Sequence, residues 1–206
     1  MVAVLCKELI MRKEEAVGSE LQTIYLGGGT PSILTYDELK QLFDTIYSYY
    51  KVSPTAEITI ECNPDDFFRL HTPEQLLQQL VSLGINRLSL GVQSFFEEDL
   101  RLMNRVHTTT QVTTLLPIAS QYFDNITIDL IYGIPMMSNE RWKENIYKAL
   151  SFGIPHISAY ALTVEEKTAL HRFIATGKIP PIDDTQAYTH FHTLINILEK
   201  KVLMIS

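Results

Sequence analysis

Cysteine is scarce in this chain: Cys6 and Cys62 are the only two in 206 residues. Two cysteines exclude a disulfide-stapled secreted scaffold and point to a reducing compartment, the cytoplasm by default. They also fall short of the thiolates that an iron–sulfur cluster requires, so both read as plain buried or half-buried thiols. Positive charge is short as well. Lys+Arg number 17 against 24 Asp+Glu, a net charge of −7. Broad binding to a phosphate backbone needs dense basic patches, so no nucleic-acid partner is expected. No apolar run is long enough to span a bilayer. The opening residues lack the apolar stretch of a signal peptide, with Lys7 and Glu8 entering early. The six histidines are scattered, and His190 and His192 point to different sides of a helix. No metal-ligand spacing emerges from them. Linkers, low-complexity stretches and sequence repeats are missing too.

What is present is a regular rhythm. Hydrophobic residues make up 46% of the chain, and its length suits one large domain over residues 1–206 with a substantial core. Candidate strands begin near Thr23, Glu57, Arg87, Asn125 and His156. They are spaced by roughly 30–40 residues, one βα unit each, which favours parallel strands joined by crossover helices.

The helices are punctuated in the same spirit. Thr35-Tyr36-Asp37-Glu38 reads as a capping box ahead of Leu39, Leu42, Phe43 and Ile46 at helical spacing. Thr72-Pro73-Glu74-Gln75 offers an N-cap, a first-turn Pro and a capping Gln, with a stop at Gly84. Ser138 caps a helix to Phe152, with Gly153 as its stop. A last helix is expected from Asp184 to about Lys200, with Phe191, Leu194 and Leu198 inward. Met1 to about Ala16 reads as an amphipathic helix with Val4, Leu5, Leu9 and Ile10 inward, and Val202 to Ser206 as a strand cut short. A helical start before any strand and an abrupt end give the pattern of a fragment.

Chemistry concentrates where strands end. Gly27-Gly28-Gly29-Thr30-Pro31 follows the apolar run Thr23 to Leu26. Its spacing is neither that of a Walker loop nor Gly-x-Gly-x-x-Gly. A tight turn alone would explain one glycine, whereas three in a row let bare backbone approach a polar ligand. Glu61, Gln93, Asp129 and Thr163 close the later apolar runs. Parallel strands that deliver polar groups at their C-terminal ends build one shared pocket. A buried carboxylate such as Glu61 must be paired or hold a ligand group. A structural ion pair is the plain alternative for Glu61 and Asp129, a buried network for Gln93, and a solvated surface charge for Arg105.

In order along the chain stand Thr23 to Ser32, Glu61-Cys62-Asn63-Pro64, Asn86 to Ser94, Asn104-Arg105-Val106-His107, and Ile128 to Pro135. This series resembles the radical S-adenosylmethionine (SAM) proteins of the oxygen-independent coproporphyrinogen III oxidase family, including its haem-chaperone, HemW-type branch. The resemblance covers nearly the whole chain. It implies a partial (β/α)6 barrel lacking its first strand, an α/β fold. It implies S-adenosylmethionine bound against a [4Fe-4S] cluster in the full-length family. It places Gly28, Gly29 and Thr30 along the cofactor's amino-acid end and Glu61 at its ammonium or a ribose hydroxyl. Gln93, Arg105, Asp129 and Thr163 complete the polar contacts. The family's Cys-x-x-x-Cys-x-x-Cys loop has no counterpart here, so this chain is expected to bind no cluster and to be inactive alone. Haem or coproporphyrinogen III is the implied partner, and the segment Tyr160 to Thr168 looks more like the chaperone branch. The oxidase reading and an unrelated metabolite-binding barrel remain as alternatives. A first strand without its neighbour would expose an edge and invite self-association.

Overall fold

A computed structural model describes residues 1–202. In chain order it contains α1 (Val2–Arg12), β1 (Leu21–Leu26), α2 (Tyr36–Tyr49), β2 (Val52–Cys62), α3 (Pro73–Ser82), β3 (Arg87–Gln93) and α4 (Glu97–Leu102). There follow α5 (Thr109–Ala119), β4 (Asn125–Tyr132), α6 (Asn139–Ser151), β5 (His156–Ala161), α7 (Ala169–Ala175) and α8 (Asp184–Val202). The five strands form one sheet in the order β1-β2-β3-β4-β5. This is the alternating architecture that the spacing predicts. Two compact units divide the chain, one of residues 1–90 and 117–126, the other of residues 91–116 and 127–202 of the described chain.

In the first unit β1 pairs parallel with β2, and β2 with β3. The capping boxes form as written: the Glu38 amide donates to Thr35 Oγ1 at 3.3 Å, and Glu38 Oε2 accepts from the Thr35 amide at 2.9 Å. Gln75 and Thr72 repeat the arrangement at the head of α3. These bonds satisfy backbone donors that the first helical turn otherwise leaves orphaned. Leu39 and Phe43 of α2 and Leu77 and Leu80 of α3 are buried, as are Ile60 of β2 and Leu88 and Leu90 of β3. β2 begins five residues earlier than the sequence pattern indicates. Leu21 aligns with Val52 but Thr23 with Glu57, so a bulge absorbs the extra residues. Pro54 lies in that irregular stretch, where a missing backbone donor is tolerated, and it disguises the strand as a turn.

The expectation for α1 needs correction. The helix buries Val2 and Cys6, while Val4 is 66% exposed and Ile10 38% exposed. It docks on α2: the Cys6 thiol lies 3.8 Å from the Gln41 carbonyl, and the Tyr50 hydroxyl donates to the Leu9 carbonyl at 2.7 Å. That contact turns Val2 and Cys6 inward and leaves Val4, Leu5 and Ile10 of the apolar stripe outward, with Leu9 half-buried.

In the second unit β4 pairs parallel with β5, Thr127 opposite His156 through Tyr132 opposite Ala161. Ser138 caps α6 by accepting from the Arg141 amide. Trp142, fully buried, packs on Tyr132 and His190, and its indole N–H donates to the His190 carbonyl at 2.7 Å. The inward face of α8 is His190, Leu194 and Ile197, whereas Phe191 is exposed. Val202 belongs to α8 and not to a strand; residues 203–206, the rest of the expected strand, lie outside the described residues. No described helix is long and apolar enough to cross a membrane.

Candidate functional site

β1 ends at Leu26, and the three glycines that follow have three different reasons to be there. A Cβ on Gly27 would lie 2.6 Å from the Tyr25 ring and 2.7 Å from the Glu61 carboxyl group, so close packing demands its absence. Gly28 has φ +79°, a left-handed backbone that costs an L side chain about 1 kcal/mol or more. Gly29 needs neither excuse. Its φ is not positive and a Cβ there meets nothing within 4 Å. No protein atom explains this third glycine, which suits a surface that a ligand approaches.

The register of β1 against β2 pairs Leu26 with Ile60. Glu61 therefore stands beside the glycine loop, half-buried. Its Oε1 accepts from the Tyr25 hydroxyl at 2.8 Å, and its Oε2 accepts from the Gly28 amide at 3.1 Å. Two acceptor bonds leave a carboxylate with further lone pairs. The charge can take an ammonium or hydroxyl group without rearranging. Thr30 is held from the other side, its hydroxyl accepting from Asn63 Nδ2 at 3.3 Å. Beyond it, Ser32 donates to buried Asp66 at 2.6 Å, and Asp66 also accepts from the Asn63 amide. Gly28, Thr30 and Glu61 are thus brought together, with Gly29 in the same loop.

Tyr25, Asn63 and Asp66 were not among the expected site residues. A signal for two of them existed: Asn63-Pro64-Asp65-Asp66 is a capping pattern in the segment directly after a strand. For Tyr25 there was none, because it faces outward by strand alternation and is 58% exposed.

In the second unit Gln93 closes β3, 6% exposed and with φ +67°. Asp129 is half-buried within β4 opposite Ser158, three residues before that strand ends, not at its terminus as expected. The hydrogen-bonded run of the strand continues through Ile131 and Tyr132. Arg105 is exposed in the loop after α4, where Asn104 takes φ +55° and the Arg105 amide donates to the Leu100 carbonyl. Thr163, expected at a strand end, lies beyond it. β5 stops at Ala161, and the exposed Thr163 hydroxyl is 3.4 Å from Glu165.

The cysteines offer a cluster little. Cys62 is buried at the end of β2 and burial pushes its thiol far above the usual range, disfavouring the thiolate that binds metal. Cys6 is buried on α1, a different element. Among the described residues no group of three His, Cys, Asp or Glu side chains is placed to hold a metal ion.

Residues 4–149 match the family model of the Radical SAM superfamily. The chain belongs to that superfamily. This radical SAM chain is 35% identical over 193 residues to the haem chaperone HemW of Synechocystis sp., covering 92% of its own length and 45% of that protein. Against HemW of Bacillus subtilis it is 37% identical over 166 residues, 79% of this chain and 42% of the relative. The solved structure of coproporphyrinogen III oxidase (HemN) from Escherichia coli, a radical SAM enzyme, matches with TM-score 0.83 and 27% identity, over 97% of this chain and 45% of that one. The chain spans less than half the length of the curated relatives it matches. The fold class is the partial radical SAM barrel that the sequence implies, with five strands among the described residues. The glycine loop and Glu61 fit the polar end of S-adenosylmethionine, with space open over Gly28 and Gly29. The two cysteines do not fit a [4Fe-4S] cluster, as their burial on separate elements makes plain.

Proposed function

We propose that this chain is the S-adenosylmethionine-binding core of a cytoplasmic haem-metabolism protein of the haem-chaperone branch, one radical SAM barrel domain that cleaves no cofactor by itself. The observation that carries the reading is the Glu61 carboxylate, held half-buried by the Gly28 amide and the Tyr25 hydroxyl beside an open glycine surface. Gly28, Gly29 and Thr30 line the amino-acid end of the cofactor, and Glu61 takes its ammonium or a ribose hydroxyl. Gln93, Arg105, Asp129 and Thr163 supply further polar contacts to ribose and carboxylate. S-adenosylmethionine brings the sulfonium chemistry; the chain's own residues bind and orient it.

Haem is the proposed cargo, supported by the HemW relatives. The structural likeness to HemN favours a second reading, a coproporphyrinogen III oxidase core. Two titrations separate them: haem followed by its Soret band, and coproporphyrinogen III, which has no Soret band, followed by anaerobic calorimetry. Saturable binding of haem and none of coproporphyrinogen III supports the chaperone branch; the reverse supports the oxidase.

Self-association through β1 belongs to the same reading. β1 lies at the end of the sheet order, paired with β2. Beside it a groove of about 800 Å³ is lined by Leu5, Leu9, Ile24, Leu42, Ile46 and Tyr50. Sheet edges and apolar surface of this kind promote pairing with another chain. Light scattering over a concentration series tests this, and a monomer at every concentration refutes it.

A further inference from the structure

Gln93 stands in a conformation that needs explaining. Among the described residues four non-glycine residues have positive φ: Gln93, Asn104, Met136 and Lys167. The last three are exposed, and Gln93 is buried. The Ser94 amide donates to the Val92 carbonyl at 2.8 Å, across Gln93. A bond from residue i+2 back to residue i, with positive φ at the residue between, is the rare and strained γ-turn. Such strain persists only where the surroundings over-determine it.

The surroundings do. The Phe95 amide donates to Asn145 Oδ1 at 2.7 Å, and Ser94 Oγ lies 3.2 Å from the same oxygen. Ser94 Oγ donates to Asp99 Oδ2 at 2.7 Å and accepts from the Phe96 amide at 3.1 Å. Asp99 Oδ1 accepts from Arg141 at 3.1 Å. The Val92 carbonyl, which closes the turn, also receives His107 Nε2 at 3.0 Å, so that nitrogen carries the proton. Ser94 and Asn145 are fully buried, Asp99 and His107 nearly so. A strand could end without any of this. The buried side chains of Ser94, Asp99 and Asn145 tie down the residues that follow one strained glutamine, and His107 holds the carbonyl that precedes it.

We propose that Asn145, backed by Ser94, Asp99 and Arg141, is a positioning residue that locks the backbone at Gln93 and so fixes where the Gln93 side chain stands for S-adenosylmethionine. The inference rests on the reading of Gln93 as a cofactor contact given above. Asn145 touches no cofactor itself; it acts through the Phe95 amide.

The test compares Asn145→Ala and Asn145→Asp with wild type by amide hydrogen exchange and by calorimetric titration with S-adenosylmethionine. An aspartate at 145 keeps a side-chain oxygen in the place from which Asn145 accepts the Phe95 amide. In Asn145→Ala the Ser94, Phe95 and Phe96 amides should exchange about tenfold faster while β4 and β5 are unmoved, and affinity should fall about tenfold. Asn145→Asp should restore both. Unchanged exchange at 94–96, or acceleration spread evenly over the unit with affinity intact, would overturn the proposal. If Asn145→Ala does not fold, Ser94→Ala carries the same two readouts. Should wild type bind no S-adenosylmethionine, the proposed function fails, and the exchange pattern still decides whether Asn145 locks the turn.

Discussion

Substituting the three glycines one at a time separates a ligand cradle from a simple turn. Gly27→Ala puts a Cβ 2.6–2.7 Å from Tyr25 and Glu61, so side chains must shift and the Glu61 bonds break. A loss of about 1–3 kcal/mol in stability follows from disturbing half-buried polar partners. Gly28→Ala meets no atom but must hold φ +79°, at a cost of about 1–2 kcal/mol. Gly29→Ala has neither clash nor strain. It should leave stability unchanged or raise it by about 0.4–1 kcal/mol, because the unfolded chain loses freedom. Urea midpoints give the three stabilities, and calorimetric titration with S-adenosylmethionine gives the affinities. The decisive variant is Gly29→Ala: full stability with affinity reduced about fivefold or more, a lost polar contact of about 1 kcal/mol. If Gly29→Ala binds as wild type does, the third glycine holds no ligand and the cradle is wrong.

Burial lowers the pKa of His190, which accepts from the Gly133 amide through Nδ1 and lies against Trp142. The unfolded state then takes up a proton first as pH falls below about 6.5, so its contribution to stability is full above that pH and declines below it, by at most about 1.4 kcal/mol per pH unit. Urea midpoints at pH 7.5 and 5 should show that decline in wild type and less of it in His190→Gln. Trp142→Ala should cost about 3–5 kcal/mol in the same assay, since the ring is fully buried; a loss below 1 kcal/mol would show that the site collapses around it. Anaerobic reconstitution with iron and sulfide should leave the protein colourless, because Cys6 and Cys62 are buried on separate elements. A brown protein with stoichiometric iron and sulfide would refute that.

The strand–helix order was legible because each signal is local: a capping box, a first-turn Pro, a glycine stop. Thr35, Thr72 and Ser138 cap the helices assigned to them. The facing of α1 was not legible, because Val4 and Ile10 are as apolar as Val2 and Cys6, and only the docking of Cys6 and Leu9 on α2 breaks the tie. The start of β2 was hidden by Pro54 and a bulge set by β1. At the site, Glu61 beside the glycine loop follows from strand-end logic and holds in the structure. Tyr25 as its partner depends on a cross-strand distance that no periodicity encodes. The γ-turn at Gln93 is likewise invisible in sequence, since Gln is an ordinary strand residue and the lock comes from Asn145, 51 residues from Ser94.

The central claim is that the glycine loop with Glu61 binds S-adenosylmethionine. Titrating the isotope-labelled chain with that cofactor and following backbone amide resonances addresses it directly. Saturable shifts centred on Gly28, Gly29 and Thr30, and abolished by Glu61→Ala, are the predicted result. Spectra unmoved at these amides as the cofactor is added, or shifts that persist at full size in Glu61→Ala, would contradict it.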